Sequence, residues 1–149
     1  MLDEIRRRVL DDHGALRDEM EGLAELVKRA GAAEGRLPED LVDAARTFAE
    51  QVRAHLEYEE QVLIPALRES TNWGKVNTGD VRRYHGEQEA SLARLAPLLE
   101  DAAVGLPRFV AALRGVMELV VEDMKHEEAD LLVPKMLSDD PVGIDVSDG

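Results

Sequence analysis

Apolar residues recur at helical spacing in four stretches of the chain, roughly 3–30, 38–69, 79–101 and 106–137. This rhythm predicts four amphipathic helices. The segments between them carry helix breakers: "GAAEGRLPED" has two glycines and a proline, "STNWGKVNTGD" holds turn formers, and "AAVGLP" joins the last pair. Short connections make consecutive helices antiparallel neighbours, so the expected fold is all-α, an up-down-up-down antiparallel four-helix bundle.

The pattern also repeats. At an offset of 68, Leu41, Ala45, Phe48, Val52, His55, Glu59 and Leu63 of the second stretch fall opposite Phe109, Leu113, Val116, Val120, Asp123, Glu127 and Leu131 of the fourth. Steps of four and three trace one face of a helix, so His55 with Glu59, and Asp123 with Glu127, occupy core positions. At an offset of 72, "HGALRDEMEGLAELV" of the first stretch matches "HGEQEASLARLAPLL" of the third, setting His13 opposite His85. The bundle therefore reads as two similar helical hairpins. Each supplies one histidine from its first helix and a pair of side chains, one turn apart, from its second.

Composition narrows the chemistry. A length of 149 residues suits one domain, read as a bundle over residues 1–137 with an acidic tail, "SDDPVGIDVSDG", over 138–149. Only five residues are aromatic, which favours helices over strands. The absence of cysteine excludes disulfides, thiolate metal sites and cysteine catalysis, so any metal must bind through nitrogen and oxygen. The formal charge of −14 repels phosphate backbones and anionic lipid, which argues against nucleic-acid and membrane partners. With no stretch as apolar as a signal peptide or a membrane span, the expectation is a soluble cytoplasmic protein, monomeric or weakly homo-oligomeric.

A single histidine on an apolar stripe is most often a hydrogen-bonded core residue. A tandem repeat that places several metal-ligating groups at matching inward positions is harder to explain as packing. Burying two or three carboxylates without a cation is costly, and a bound cation removes that cost. Histidines mixed with carboxylates suit iron, manganese or zinc, and inward Glu and His side chains in helix bundles are the usual scaffold for two-metal carboxylate centres.

Taken together, His13, the H-x-x-x-E of His55 and Glu59 within "HLEYEEQVLIPAL", His85, and a second carboxylate pair ahead of "LLVP" resemble the hemerythrin-like (HHE cation-binding) family over roughly residues 5–137. The resemblance implies two non-haem iron ions, oxo- or hydroxo-bridged. His13, His55 and His85 would be terminal ligands, and Glu59 and Glu127 would bridge. It also implies a small diatomic or peroxide ligand (O2, NO or H2O2) and leaves peroxide- or NO-related oxidoreductase activity open, alongside sensing and iron handling. A metal-free or mononuclear interaction module is the alternative.

The fourth stretch departs from the family pattern, which has His-x-x-x-Glu there or His followed slightly later by Asp, whereas this chain has "DMKHEEAD". Three readings stand. Asp123 replaces the histidine while Glu127 bridges; or His126 and Asp130 form the pair; or Asp123 is solvated and leaves an open iron position. The first is preferred because residue 123 lies on the Val116, Val120, Glu127 stripe, whereas His126 is rotated by about 100°. A carboxylate in place of a nitrogen ligand would make the site harder and more anionic, favouring ferric iron over reversible oxygen carriage. Glu89, one turn after His85, is a further candidate ligand or else the ion-pair partner of Arg17. Glu60 and Glu128 read as solvated, Tyr58 and Tyr84 as packing, Ser91 as a surface residue and Trp73 as a plug at one end of the bundle.

Overall fold

The computed structural model describes residues 1–31, 36–69 and 78–133, and these are helical with short connections. Trp73 and the tail from residue 138 onward lie outside the described residues. Helix α1 spans Leu2–Ala30, α2 spans Glu39–Tyr58, α3 spans Ile64–Arg68, α4 spans Thr78–Leu99 and α5 spans Leu106–His126. Between α2 and α3, and again directly after α5, the backbone widens into a π-helical turn, at Glu59–Leu63 and Glu127–Leu131. Counting α2, its π turn and α3 as one rod, four helical rods form the bundle that the periodicity predicts.

Local chemistry sets the helix ends. α1 opens with Asp3 and Glu4 and closes with Lys28 and Arg29, charges that complement its dipole. α2 begins directly after Pro38, whose extended backbone cannot continue a helix backward. α5 has Pro107 in its first turn, where a missing N–H costs nothing.

The π turn at 59–63 departs from the single continuous helix expected over 38–69. Pro65 lacks an N–H and its ring would crowd the carbonyl four residues back, so the regular α ladder cannot run unbroken through this point. Instead the Ile64 N–H reaches back five residues to the Glu59 carbonyl. The fourth rod does the same, with the Leu132 N–H bonded to the Glu127 carbonyl at 2.8 Å. Both widened turns thus begin on the glutamates that the repeat aligns.

Packing follows the hairpin scheme. α1 lies mainly against α2 and α4 mainly against α5, and α2 with α4 and α1 with α5 close the bundle. The apolar stripes build two clusters. The larger holds Leu16, Leu23, Phe48, Val52, Leu95, Phe109, Leu113 and Val116, and the smaller holds Ile5, Val9, Leu63, Leu67, Val81 and Leu131. Between the two runs a polar layer: among the described residues, the buried polar or charged ones are His13, His55, Glu59, His85, Gln88, Ser91, Asp123 and Glu127. Ser91 is therefore a core residue, not a surface one. It lies where α4 meets Gly115 of α5, so closely that a Cβ there would stand 3.4 Å from the Ser91 hydroxyl.

Candidate metal centre

Each rod delivers its part of the polar layer because the step between the two apolar clusters falls on a ligand-type residue. On α1, Val9 precedes and Leu16 follows His13; on α4, Val81 precedes and Leu92 follows His85. On the second and fourth rods, the last helical turn and the first residue of the π turn contribute His55 with Glu59 and Asp123 with Glu127.

The side chains converge as two overlapping sets. His13, His55, Glu59 and Glu127 offer one ligand atom each, all within 4.8 Å of one another, and Glu59, His85, Asp123 and Glu127 do the same. Glu59 and Glu127 belong to both. Glu59 Oε1 lies 2.8 Å from His85 Nε2, and Glu59 Oε2 lies 2.7 Å from His55 Nε2. Glu127 Oε1 lies 2.8 Å from His13 Nε2. All six residues are almost wholly shielded from solvent.

Several atoms in this layer have no hydrogen-bond partner: His55 Nε2, Glu59 Oε2, Asp123 Oδ1 and Glu127 Oε2. The close approach of His55 Nε2 to Glu59 Oε2 lacks the alignment of a hydrogen bond. Both atoms point toward common space, as ligands of one cation do. Buried polar groups are nearly always paired, so four orphans in one layer fit a cation better than they fit a polar core.

Burial and mutual contact shift the proton affinities of these groups strongly. Burial acts to lower the pKa of His13, but its hydrogen bond to Glu127 and the nearby Glu59 carboxylate more than offset this and raise it to about 10. His85, likewise opposed by burial, is raised to about 11 through Glu127 and Glu59. Although burial acts to raise it, Glu59 is held well below the carboxylate range, because the His13, His55 and His85 imidazoles crowd its two oxygens. Glu127 is pushed well above that range by burial and the charge of Glu59, and Asp123 is raised for the same two reasons. Cations would displace these protons, so metal binding must release them.

The outer nitrogens of the histidines also have carboxylate partners. Nδ1 of His85 is 2.6 Å from Glu60 Oε2, and Nδ1 of His13 is 2.8 Å from Glu128 Oε2. His55 Nδ1 lies 3.5 Å from Asp12 Oδ2. Each half of the molecule therefore clamps one histidine between consecutive glutamates: His85 between Glu59 and Glu60, His13 between Glu127 and Glu128. This corrects the reading of Glu60 and Glu128 as merely solvated side chains. They keep partial exposure, yet each fixes an imidazole so that Nε2 faces the layer. Arg17 anchors Glu128 at 2.9 Å, and Arg17 with His13 lowers the Glu128 pKa against the effect of burial.

Carboxylates that orient metal-bound histidines are worth roughly 10–100-fold in metal affinity. Glu60→Gln and Glu128→Gln should each weaken cation binding by about that factor while leaving the fold intact, as titration of the metal-free protein would read. Unchanged affinity in both variants would mean that these glutamates do not orient the histidines.

The remaining candidates stand apart from the cluster. Glu89 is exposed and, with Glu60 and Arg53, lines a surface groove. It is neither in the cluster nor the partner of Arg17, which pairs with Glu128, because Gln88 takes the inward position on that turn of α4. His126 lies beside the site, paired with the exposed Asp130 at 3.1 Å and facing the Tyr84 ring at 5.0 Å. Asp123, not His126, lies in the layer. Gln88 is a site residue that the sequence reading passed over: its Nε2 donates to Asp123 Oδ2 at 2.7 Å and to the Tyr84 carbonyl at 3.1 Å.

Comparison with known proteins agrees with this geometry. The family model described as the hemerythrin HHE cation-binding domain matches residues 4–134, nearly all of the helical region. No curated protein and no solved structure matches the chain.

Proposed function

The chain belongs to the hemerythrin HHE cation-binding domain family, and from that premise we propose that it holds two non-haem iron ions and meets a small oxidant or diatomic ligand (O2, NO or H2O2) at them. The observation that carries this reading is the sharing of Glu59 and Glu127 by two four-residue ligand sets. A mononuclear site has no use for two such sets, whereas two cations bridged by a pair of carboxylates use both. Residues His13 and His55 would complete one position, His85 and Asp123 the other.

Iron at this site would supply a redox-active cation with a coordination position for the incoming ligand. The protein's part is to bind, orient and shield. Glu60, Glu128 and Asp12 hold the imidazoles, and the apolar clusters on either side keep bulk water from the layer. No helix among the described residues is long and apolar enough to cross a membrane. Three buried carboxylates against three histidines make the layer anionic. That bias favours the ferric state and weighs against reversible oxygen carriage.

Elemental analysis of protein expressed with added iron, combined with its near-ultraviolet spectrum, tests the proposal. About two irons per chain with an oxo- or hydroxo-bridged ferric band is the expected outcome, after which O2, NO and H2O2 can be titrated in turn. Folded protein holding well below one metal per chain would replace this reading with that of a helical interaction module. One metal per chain would indicate a mononuclear site.

A further inference from the structure

The two hairpins match in the bonds between histidines and paired glutamates and differ in residues around them. The repeat sets His13 on His85, Glu59 on Glu127 and Glu60 on Glu128, and these residues make the same bonds in both halves. It also sets His55 on Asp123 and Leu16 on Gln88, and here the halves differ in two residues at once. Where the second rod carries a histidine, the matching α1 position is the apolar Leu16. Where the fourth rod carries a carboxylate, the corresponding α4 position is Gln88, and its side chain reaches across to that carboxylate.

The bond is well defined. Gln88 is 1 % exposed, and both neighbours of its Nε2, the Asp123 carboxylate and the Tyr84 carbonyl, can only accept, which assigns the amide nitrogen to that side. The Asp123 oxygens stand one bond nearer the backbone than Glu Oε or His Nε2, so the side chain needs a fixed direction to act from this depth. Gln88 ties Oδ2, and Oδ1 remains buried with no partner. One oxygen is thus held by the protein and the other is left to the layer.

We propose that Gln88 is a positioning residue that fixes Asp123 as a cation ligand, making the two metal positions chemically unequal. This rests on the two-iron reading above. The position with His13 and His55 offers two neutral nitrogens beside the shared glutamates, and the position with His85 and Asp123 offers one nitrogen and one anionic oxygen. The second position is the harder one and takes the more highly charged ion first. Gln88 supplies no ligand itself; it acts through Asp123.

The test uses the full chain loaded with 57Fe, read by elemental analysis and Mössbauer spectroscopy, with helicity as the folding control. The unmodified protein should give two distinct quadrupole doublets of equal area. Gln88→Met conserves volume and removes the donor, and should lower the iron content from about two to about one per chain, with one doublet lost. The double variant Gln88→Leu with Asp123→His copies the Leu16 and His55 pair into the other half; it should hold about two irons whose doublets converge. It also keeps the proposal testable if Gln88→Met does not fold.

Unmodified protein with two irons and one doublet would overturn the inequality and leave the two-iron reading standing. Two unchanged doublets in Gln88→Met would overturn the role of Gln88, as would loss of both irons from that variant while it remains helical. A double variant that keeps two distinct doublets would do so too. Folded unmodified protein with less than one iron would remove the two-iron reading, and this proposal with it.

Discussion

Glu59→Ala should strip the site, with iron content falling from about two per chain to well below one, whereas His126→Ala should keep both irons. Glu59 has no solvent exposure, and its two oxygens reach different histidines, His85 at 2.8 Å and His55 at 2.7 Å. Its second oxygen also stands 3.9 Å from His13. It is therefore a member of both ligand sets, so its loss removes a ligand and a negative charge from each cation at once. Glu127 also stands near all three histidines, but it approaches only His13, at 2.8 Å, as closely as Glu59 approaches His85 and His55; it is 3.9 Å from those two. His126 shares the chemistry of a ligand but not the place, since it faces Tyr84 and pairs with Asp130 beside the site. Elemental analysis of the two variants, with helicity confirmed by circular dichroism, reads the difference. Equal iron loss from both would mean that His126 moves into the site on metal binding and that the fourth rod binds otherwise than described.

The inward six residues were legible because helical periodicity and an internal repeat carry the same information twice. A period of 3.6 puts residues 55 and 59, or 123 and 127, on the buried stripe whatever their chemistry. Asp123 was placed by its register with Val116 and Val120, against the pull of a nearby His-x-x-x-Asp. What periodicity could not reach was the contact between helices. Glu60 and Glu128 lie about 100° off the stripe, and the one-helix view assigns such residues to solvent. In the bundle that direction points at the neighbouring rod, where His85 and His13 present their outer nitrogens. The doubled glutamates of "EEQVLIP" and "EEADLLVP" were the available signal, since both halves keep the second one.

Gln88 was missed for a related reason. A neutral amide next to a candidate charged ligand, Glu89, draws no notice in a search for metal-binding side chains. Which of two consecutive residues faces inward is decided by the rotation of α4 against α5. The π turns were hidden too, because a widened turn shifts the phase of the stripe by a fraction of a residue and leaves Leu63 and Leu131 apolar either way.

Removing the metal should destabilise the protein strongly, and more so as the pH rises. A ligand that binds only the folded state stabilises it by about 4 kcal/mol at a free concentration 1,000 times its Kd. For a chain of 149 residues that corresponds to a rise in Tm on the order of 10 °C per site. The pH dependence has opposite signs in the two forms. In the metal-free protein, His13 and His85 have folded pKa values of about 10 and 11 against an ordinary 6.5. Their pairing stabilises the fold fully below 6.5 and is lost as the pH climbs through those higher values. Glu127, raised by burial and by the charge of Glu59, acts in the same direction: it folds more readily as the neutral acid, and that advantage fades above the ordinary carboxylate pKa. Glu59 acts oppositely, since its depressed value makes its contribution fall away only in acid. The metal-free protein should thus weaken steadily from neutral to alkaline pH. The loaded protein should not, because cations compete with protons for the same atoms and bind better as the protons leave. Melting the chelated and iron-loaded forms side by side at pH 6.5, 8 and 9.5 should therefore show a gap in Tm that widens with pH. A gap that narrows would mean that the histidines and Glu127 do not exchange their protons for metal, and that the buried layer is a proton-held core and not a metal centre.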